Sequence, residues 1–258
     1  MLIKSLVTAV TISTLAAIVS GAQASPPTSI ILVHGAWADG SSWSKIIPLL
    51  VAKGLRVTAV QLPLTSLADD AATVKRALAL ETGPVVLVGH SYGGAVISEA
   101  GNDPKVTALV YVAAFAPDAG QSAGSLNASV APAPLAAEVR PDSQGFLKLT
   151  RKGIYEDFAQ DVTPAEKLAL FAAQAPTNAK SLGGTVSIPA WRSKPSWYIV
   201  AAMDRAIPPS LESTMAKTIG ATTTVVHGSH LIMLSRATAV AAVIESAAVA
   251  QGEQAAAH

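Results

Sequence analysis

Short apolar runs alternate with helix-like segments through most of this sequence, and that alternation limits the possible folds more than any other feature. Six runs rich in valine and isoleucine end in turn-forming residues, and they read SIILVHG, RVTAVQL, PVVLVGH, VTALVYVAAF, SWYIVAAM and TTTVVHG. Most are too continuously apolar for half-exposed strands, so they predict buried parallel strands. Helix patterns lie between several of them, at residues 43–53, 66–81 and 208–219, and Ser66 with Asp69 forms a capping box at the start of the second. This order predicts an α/β fold with a doubly wound, mainly parallel sheet.

One long stretch, residues 117–195, interrupts the alternation. It contains half of the 16 prolines and no clear strand, and its helix-like patches lie at residues 145–158 and 164–174. A segment of this length inside a compact domain is more often a lid or a binding element than a passive loop. We therefore predict a single domain over residues 25–258, with a helical cap insertion at about 117–195 that lies over the ends of the strands.

Composition excludes several classes of function. The 258 residues are 50% hydrophobic, which is enough for one substantial core. Lys and Arg number 18 against 17 Asp and Glu, so no basic surface for nucleic acid is expected. The chain has no cysteine, and its histidines lack the spacing of metal ligands. We expect no metal and no cofactor, and the sequence does not indicate an oligomeric state.

The N-terminus has the layout of a secretory signal. Lys4 precedes a largely apolar stretch at residues 6–19, and the small residues GAQAS follow with an A-x-A site that ends at Ala24. A retained membrane anchor is the alternative, but the apolar stretch is shorter than the roughly 20 residues that a spanning helix needs. The pattern predicts that residues 1–24 are removed by cleavage before Ser25. The product would be exported to the bacterial periplasm or the extracellular space without a stable membrane anchor.

Residues 87–95, LVGHSYGGA, place one serine inside an unusually glycine-rich turn. Gly89, Ser91 and Gly93 fit the pattern G-x-S-x-G, with a predicted strand before it and helix-forming residues after it. Such a strand-to-helix turn lifts the serine hydroxyl to the carboxyl edge of the sheet, where open α/β folds bind their ligands. Ser91 is therefore predicted to be a nucleophile. The alternative is a structural glycine-rich turn in which the serine is incidental.

A serine nucleophile needs a base and a group that orients the base. His230 lies in the loop just after the last predicted strand and is the preferred base, with His227 at the end of that strand as the second choice. Asp204 directly follows another strand and fits the chain order Ser, Asp, His. Asp118, after the strand that ends near residue 115, remains the rival acid.

Backbone N–H groups at the same turn would stabilise an oxyanion without reorganising. Tyr92, next to the predicted nucleophile, supplies one such donor. The loop after the first strand reads HGAW, and its small residues Gly35 and Ala36 allow a ligand to approach the backbone closely. Ala36 is therefore predicted to be the second donor, although His34 and Gly35 also serve simply to end the strand.

Four motifs together resemble the α/β-hydrolase superfamily: VHGAW, GHSYGG, MDRAIPP and GSHLIML, in this order over about 200 residues. Within it the chain is similar to the small esterase and hydroxynitrile-lyase-like branch that includes plant methyl-ester hydrolases. The resemblance implies Ser91 as nucleophile, Asp204 as acid, His230 as base, and Ala36 and Tyr92 as oxyanion donors. It also implies a helical cap and a sheet of six strands, because the chain before SIILVHG leaves no room for extra ones.

The resemblance also narrows the chemistry. Hydroxynitrile lyases of this branch carry a lysine directly after the catalytic histidine and a threonine in the oxyanion loop, whereas this chain has Leu231 and Ala36. We therefore expect a serine carboxylesterase that hydrolyses small to medium apolar esters through an acyl-enzyme, in a pocket lined by Trp37 and Leu231. The alternatives are a receptor-like binding protein with little turnover, and an acyltransferase or perhydrolase that uses the same triad.

Overall fold

The computed structural model of the chain describes residues 28–256, so the predicted signal at residues 1–24 lies outside the described part. Its strands in chain order are β1 Ser29–Val33, β2 Arg56–Ala59, β3 Val85–His90, β4 Val106–Val112, β5 Val139–Pro141, β6 Phe146–Leu149, β7 Thr177–Asn178, β8 Ser196–Ala201 and β9 Thr222–Val226. Its α-helices are α1 Ile47–Val51, α2 Leu67–Ala79, α3 Gly93–Ala100, α4 Ala123–Ala128, α5 Pro164–Ala173, α6 Ala179–Gly183, α7 Pro209–Thr218, α8 Ile232–Ser235 and α9 Ala237–Ala256.

The main sheet has six strands in the order β2-β1-β3-β4-β8-β9, and all neighbours are parallel. From β1 the chain first adds β2 on one side and then β3, β4, β8 and β9 on the other, so the direction of winding reverses between β1 and β3. The predicted doubly wound parallel sheet of six strands is confirmed. Because all six strands run the same way, the loops after them emerge at one edge of the sheet. The predicted site residues follow β1, β3, β8 and β9, and this topology brings them to that edge.

Apolar side chains cover both faces of the sheet. Ile31 and its neighbours on one face pack with α2, α3 and α7, and Ile30 and its neighbours on the other pack with α1, α8 and α9. The Ser66 hydroxyl accepts the N–H of Asp69 at 3.1 Å and so caps α2, as the sequence predicts. Among residues 28–256, no helix combines the length and the apolar character that a membrane crossing requires.

The two edge strands differ from their prediction. β2 alternates between exposed and half-buried residues, and four of the five residues of β9 are exposed. Val225 in β9 is 65% exposed although the run TTTVVHG predicts a buried strand. Each of these strands is paired on one side only, so it lacks the second neighbour that buries the inner strands.

The insertion at residues 117–195 contains α4, α5 and α6 and also a small antiparallel sheet, β5-β6-β7. Residues 145–158 were predicted to be helical, and the prediction is wrong for the first part, which forms β6. The second part is helical: Arg151 and Lys152 form a short α-helical start, and Gly153–Phe158 continue it as a π-helical turn. The pairing of β6 with β5 and with the distant β7 overrides the local helix pattern, since strand formation depends strongly on tertiary context.

Candidate active site

Ser91 occupies a sharp turn between β3, which ends at His90, and α3, which begins at Gly93. Its φ of 54° lies in the left-handed region, which costs a residue with a side chain about 1–3 kcal/mol. Backbone hydrogen bonds hold it there: the Ser91 N–H points at the carbonyls of Val112 and Ala113, both at 3.2 Å, and its carbonyl accepts the N–H of Phe115 at 3.0 Å. The surrounding backbone therefore fixes the strained conformation.

Two glycines allow this turn to pack against the loop after β1. A Cβ added to Gly93 would lie 2.5 Å from the carbonyl oxygen of Val33 and 2.7 Å from that of His34. A Cβ added to Gly35 would lie 2.6 Å from the Cβ of Ser91. Both distances are too short for real atoms, so glycine is required at both positions and the two loops are in direct contact.

His230 and Asp204 form a buried pair at the same edge. The distance between His230 Nδ1 and Asp204 Oδ2 is 2.5 Å, and the two side chains are 1% and 0% exposed. Asp204 Oδ1 accepts the N–H groups of Ala206 at 2.6 Å and Ile207 at 2.8 Å. These three contacts fix the carboxylate, and the carboxylate in turn sets the orientation of the imidazole ring.

Ser91 and His230 line one pocket. Within the described residues, no hydrogen bond joins the Ser91 hydroxyl to the His230 ring. Nucleophile–base hydrogen bonds are commonly long in the absence of substrate and shorten in the reacting complex. The rings of Phe158 and His90 pack against His230 with centroid distances of 5.0 Å and 4.7 Å, which restricts its movement.

His90 also contacts the backbone of His230. Its Nε2 lies 3.0 Å from the His230 carbonyl oxygen, an acceptor, so Nε2 bears the proton. Burial, and next the charge of His230, hold the pKa of His90 well below its usual value. His90 is therefore neutral and ties the loop of His230 to the elbow. The sequence places His90 inside the elbow but assigns it no role.

The rival residues lie elsewhere. Asp118 pairs with Arg192 at 2.6 Å on the insertion, and neither side chain contacts His230. His227 is exposed at the end of β9. The alternatives that the sequence left open are thus separated in space from the pair formed by Asp204 and His230.

The two predicted oxyanion donors, Ala36 and Tyr92, both line the pocket beside Ser91. Neither backbone N–H has a hydrogen-bond acceptor within residues 28–256. Tyr92 directly precedes α3, so its N–H lies at the positive end of that helix. Two free N–H donors at this position can bind a developing negative charge.

Side chains buried behind the donors hold them in place. His34 accepts the N–H of Leu62 at Nε2 and donates from Nδ1 to the carbonyl of Gly35, over 3.0 Å and 2.9 Å. Burial lowers the pKa of His34, which favours the neutral ring that these two bonds need. The Tyr92 hydroxyl donates to Asp70 Oδ2 at 2.7 Å. None of these partners was predicted from the sequence, because all are set by tertiary contacts.

The pocket has a volume of about 90 Å³ and is mostly apolar. By the same measure one water needs roughly 10–15 Å³, so the cavity has room for a small group of atoms. Its lining combines sheet-edge residues with insertion residues such as Leu135 and Leu182. Asn127 also lines it, and the Asn127 Oδ1 is buried without a hydrogen-bond partner among the described residues.

Of the two predicted substrate-binding residues, Trp37 lines the pocket and Leu231 does not. Leu231 is fully buried in the apolar core, because the chain turns into α8 at this residue. Trp37 lies next to Ala36 with a φ of 58°. Its N–H donates to Thr177 Oγ1 and its indole Nε1 donates to the Leu147 carbonyl, both at 3.0 Å, so the insertion holds it.

Metal ligands are not clustered in the described part of the chain. Between residues 28 and 256, no group of three or more histidine, aspartate or glutamate side chains is arranged to hold an ion.

Comparison with known proteins identifies a family match over most of the chain. The model described as the alpha/beta hydrolase family matches residues 30–243. Methylesterase 8 of Arabidopsis thaliana is 37% identical over 103 residues, which cover 34% of this chain and 38% of that protein. Salicylic acid-binding protein 2 of Nicotiana tabacum is 38% identical over 103 residues, covering 34% of this chain and 40% of that protein. The chain thus spans about two fifths of the length of these curated relatives.

A solved structure extends the similarity to almost the whole fold. The pyrethroid hydrolase from Sphingobium faniae superposes with a TM-score of 0.75 at 26% identity, covering 88% of this chain and 100% of that one. The similarity therefore includes the insertion as well as the main sheet.

Proposed function

Because the chain belongs to the alpha/beta hydrolase family, we propose that it is a serine carboxylesterase that hydrolyses small to medium apolar carboxylic esters. The single observation that carries the proposal is the 2.5 Å contact between Asp204 and His230 in the pocket to which Ser91 contributes. A hydroxyl nucleophile needs a base that takes its proton and an acid that orients the base, and the contact between Asp204 and His230 supports the second of these roles.

In the acylation step, Ser91 Oγ attacks the ester carbonyl carbon as His230 Nε2 accepts its proton. The carbonyl oxygen becomes an oxyanion, which accepts hydrogen bonds from the N–H groups of Ala36 and Tyr92. His230 then returns the proton to the departing alkoxide, so an alcohol leaves and an acyl-enzyme remains. Asp204 stabilises the imidazolium between the two transfers.

In the deacylation step, water replaces the alcohol. His230 removes a proton from the water as its oxygen attacks the acyl carbon, and it passes that proton to Ser91 Oγ as the acyl bond breaks. The products are a carboxylic acid and the free serine. The same geometry would serve an alcohol or a peroxide as acceptor, so product analysis distinguishes hydrolysis from acyl transfer.

The pocket supports uncharged substrates. Apart from Ser91 and His230, its lining is mainly Ala, Leu, Val, Ile and aromatic side chains, and no Lys, Arg, Asp or Glu lines it. A substrate that carries a second charged group would lose its hydration there without a partner. The names of the relatives agree with an ester as substrate, since one is a methylesterase and another a pyrethroid hydrolase.

The test uses short nitrophenyl esters and the variant Ser91→Ala. Loss of the nucleophile should lower kcat by a factor on the order of 10⁴ to 10⁶ while the protein stays folded. Ser129→Ala, at an exposed serine of the insertion, is the matched control and should keep full activity. Wild-type protein without ester turnover, or an active Ser91→Ala variant, would refute the proposal.

A receptor-like role is the second candidate, because one relative is named as a salicylic acid-binding protein. A receptor would gain thermal stability from its ligand but would not turn over esters. Labelling of Ser91 by a serine-directed phosphonate, together with ester turnover, would favour the esterase. Ligand-induced stabilisation without labelling would favour the receptor.

Export is proposed from the N-terminal pattern alone, with cleavage between Ala24 and Ser25. Mass spectrometry of the protein recovered from outside the cytoplasm should give an N-terminus at Ser25. An N-terminus at Met1 would exclude cleavage.

A further inference from the structure

The carboxyl group of Glu212 is buried in the protein without an ion pair among the described residues. It lies in the first turn of α7 with none of its surface exposed. Its Oε2 accepts the N–H of Ala201 at 2.9 Å, but its Oε1 is buried and has no hydrogen-bond donor among the described residues. A buried carboxylate oxygen without a donor costs several kcal/mol, so this oxygen needs another explanation.

A second carboxyl, that of Asp204, lies beside Glu212, because both residues bind Ala201: Glu212 Oε2 accepts the Ala201 N–H, and the Asp204 N–H donates to the Ala201 carbonyl at 3.1 Å. No Lys, Arg or His within residues 28–256 forms an ion pair with Glu212. Tyr198 is the other titratable group close to it, and its hydroxyl donates to the Ala114 carbonyl. Within the described residues, a negative charge on Glu212 would therefore have no cation of its own.

Two neighbouring carboxyl groups in a dry environment share one negative charge, because both cannot ionise. The negative charge is more stable on Asp204, since Asp204 accepts two backbone N–H groups and faces His230, whereas Glu212 accepts one N–H. Burial, and next the charge of Asp204, hold the pKa of Glu212 well above its usual range. The proton between them accordingly belongs to Glu212.

We propose that Glu212 is a positioning residue of the candidate triad: its protonated carboxyl donates from Oε1 to the Asp204 carboxylate and holds it towards His230. The inference rests on the proposed function only in so far as His230 is the base of the reaction. The hydrogen-bonded chain then runs from His230 through Asp204 to Glu212 and ends at the backbone of β8. Glu212 is outside the pocket and touches no substrate.

Two substitutions at Glu212 distinguish hydrogen-bond donation to Asp204 from the filling of space in the core. Glu212→Gln keeps both bonds, since its carbonyl oxygen can accept from Ala201 and its NH₂ group can donate to Asp204. We expect kcat/KM within about twofold of wild type and an unmoved acid limb of its pH profile. Glu212→Met fills similar space without a donor. It should lower kcat about tenfold at nearly constant KM and move the acid limb to higher pH, because Asp204 then gives more of its charge to the imidazolium.

Two readouts do not depend on turnover. The infrared spectrum of wild type at neutral pH should contain the C=O stretch of a protonated, buried carboxylic acid, and Glu212→Gln should lack it. The unfolding free energy of wild type relative to Glu212→Gln should also fall as pH rises above about 4.5, because the folded state holds a proton that the unfolded chain releases. These tests remain valid if no ester is hydrolysed, so failure of the proposed function is distinguishable.

Glu81→Gln is the matched control. Glu81 is also a nearly buried glutamate, but it binds Ser29 and Arg56 at the opposite end of the sheet. Its substitution should lower thermal stability and leave the pH profile of kcat/KM unchanged. The proposal is overturned by an acid limb that moves about one pH unit downwards in Glu212→Gln, by an unchanged kcat and pH profile in folded Glu212→Met, or by the absence of the protonated-acid signal.

Discussion

Residues 85–98 and α5 both adopt regular structure, yet the first segment has no exposed residue and the second has no buried one. The first runs from β3 through Ser91 into α3 at the centre of the sheet. The second belongs to the insertion, whose elements are short and whose largest helix lies on the surface. The two regions meet at the pocket, where Ser91 faces Leu182 and Leu135 of the insertion.

If the proposed reaction takes place at Ser91, its chemistry depends on the first region and the choice of substrate on the insertion. Around Ser91, backbone hydrogen bonds and close packing at Gly35 and Gly93 fix the turn, so a small change there has no room to relax. On α5 of the insertion no residue is buried, so a change there is absorbed more easily. We expect the chemistry to be intolerant of substitution and the choice of ester to be adjustable, and three experiments test this contrast from the largest effect to the smallest.

The two aspartates that the sequence offers as the triad acid, Asp204 and its rival Asp118, give the largest contrast. Asp204→Asn should lower kcat by about 10⁴, because the amide no longer stabilises the imidazolium and favours the wrong tautomer of His230. Asp118→Asn should stay within about twofold of wild type, since its partner Arg192 lies on the insertion surface. Steady-state kinetics with one nitrophenyl ester measures both, and comparable losses in the two variants would contradict the assignment.

Two glycine substitutions compare packing in the two regions. Gly93→Ala places a methyl group 2.5 Å from the Val33 carbonyl oxygen, and overpacking of this kind should lower the unfolding free energy by about 3 kcal/mol. Gly183→Ala, at the end of α6, meets no atom within 4 Å and should change it by less than about 0.5 kcal/mol. Urea unfolding of both variants provides the measurement. Equal stability losses would show that the elbow is not the tighter region.

The smallest effect concerns the pH dependence of stability through His90. Because the pKa of His90 is held well below 6.5, the unfolded chain binds a proton below that pH which the folded state does not. The stability advantage of wild type over His90→Gln should therefore shrink as pH falls from about 7 to 5, by up to about 1 kcal/mol per pH unit. Chemical unfolding at several pH values measures this difference.

Glutamine can still donate to the His230 carbonyl, so His90→Gln should keep most of the ester hydrolysis. His227→Gln, at an exposed histidine, is the matched control for the pH series. A difference between wild type and His90→Gln that is constant with pH would contradict a buried, neutral His90.

Much of the fold could be predicted because local patterns and topology agree. The six main strands, the capped start of α2 at Ser66 and the sharp turn at Ser91 all follow from short sequence signals that tertiary contacts reinforce. The edge strands β2 and β9 and the strand β6 were misjudged, since exposure and pairing depend on neighbours that are distant in sequence.

The candidate site was predictable to the extent that chain order and strand ends determine it. Asp204 could be preferred over Asp118 only by chain order, and the geometry that separates them exists only in the fold. Leu231 was predicted to line the pocket, but it lies in the core. The chain turns into α8 at this residue, and the direction of such a turn is not encoded in a local motif. Glu212 and the contact of His90 with His230 were missed because no motif records which buried polar groups face each other.

The two hydrogen bonds of Trp37 fasten β6 and β7 to the residue beside Ala36. A ligand that pushes this part of the insertion outwards must therefore pull on the backbone amide that would receive the negative charge. A ligand too large for the cavity would therefore displace the loop that carries the Ala36 N–H. Such a molecule would be excluded by its size, and it would also weaken the binding of the developing negative charge.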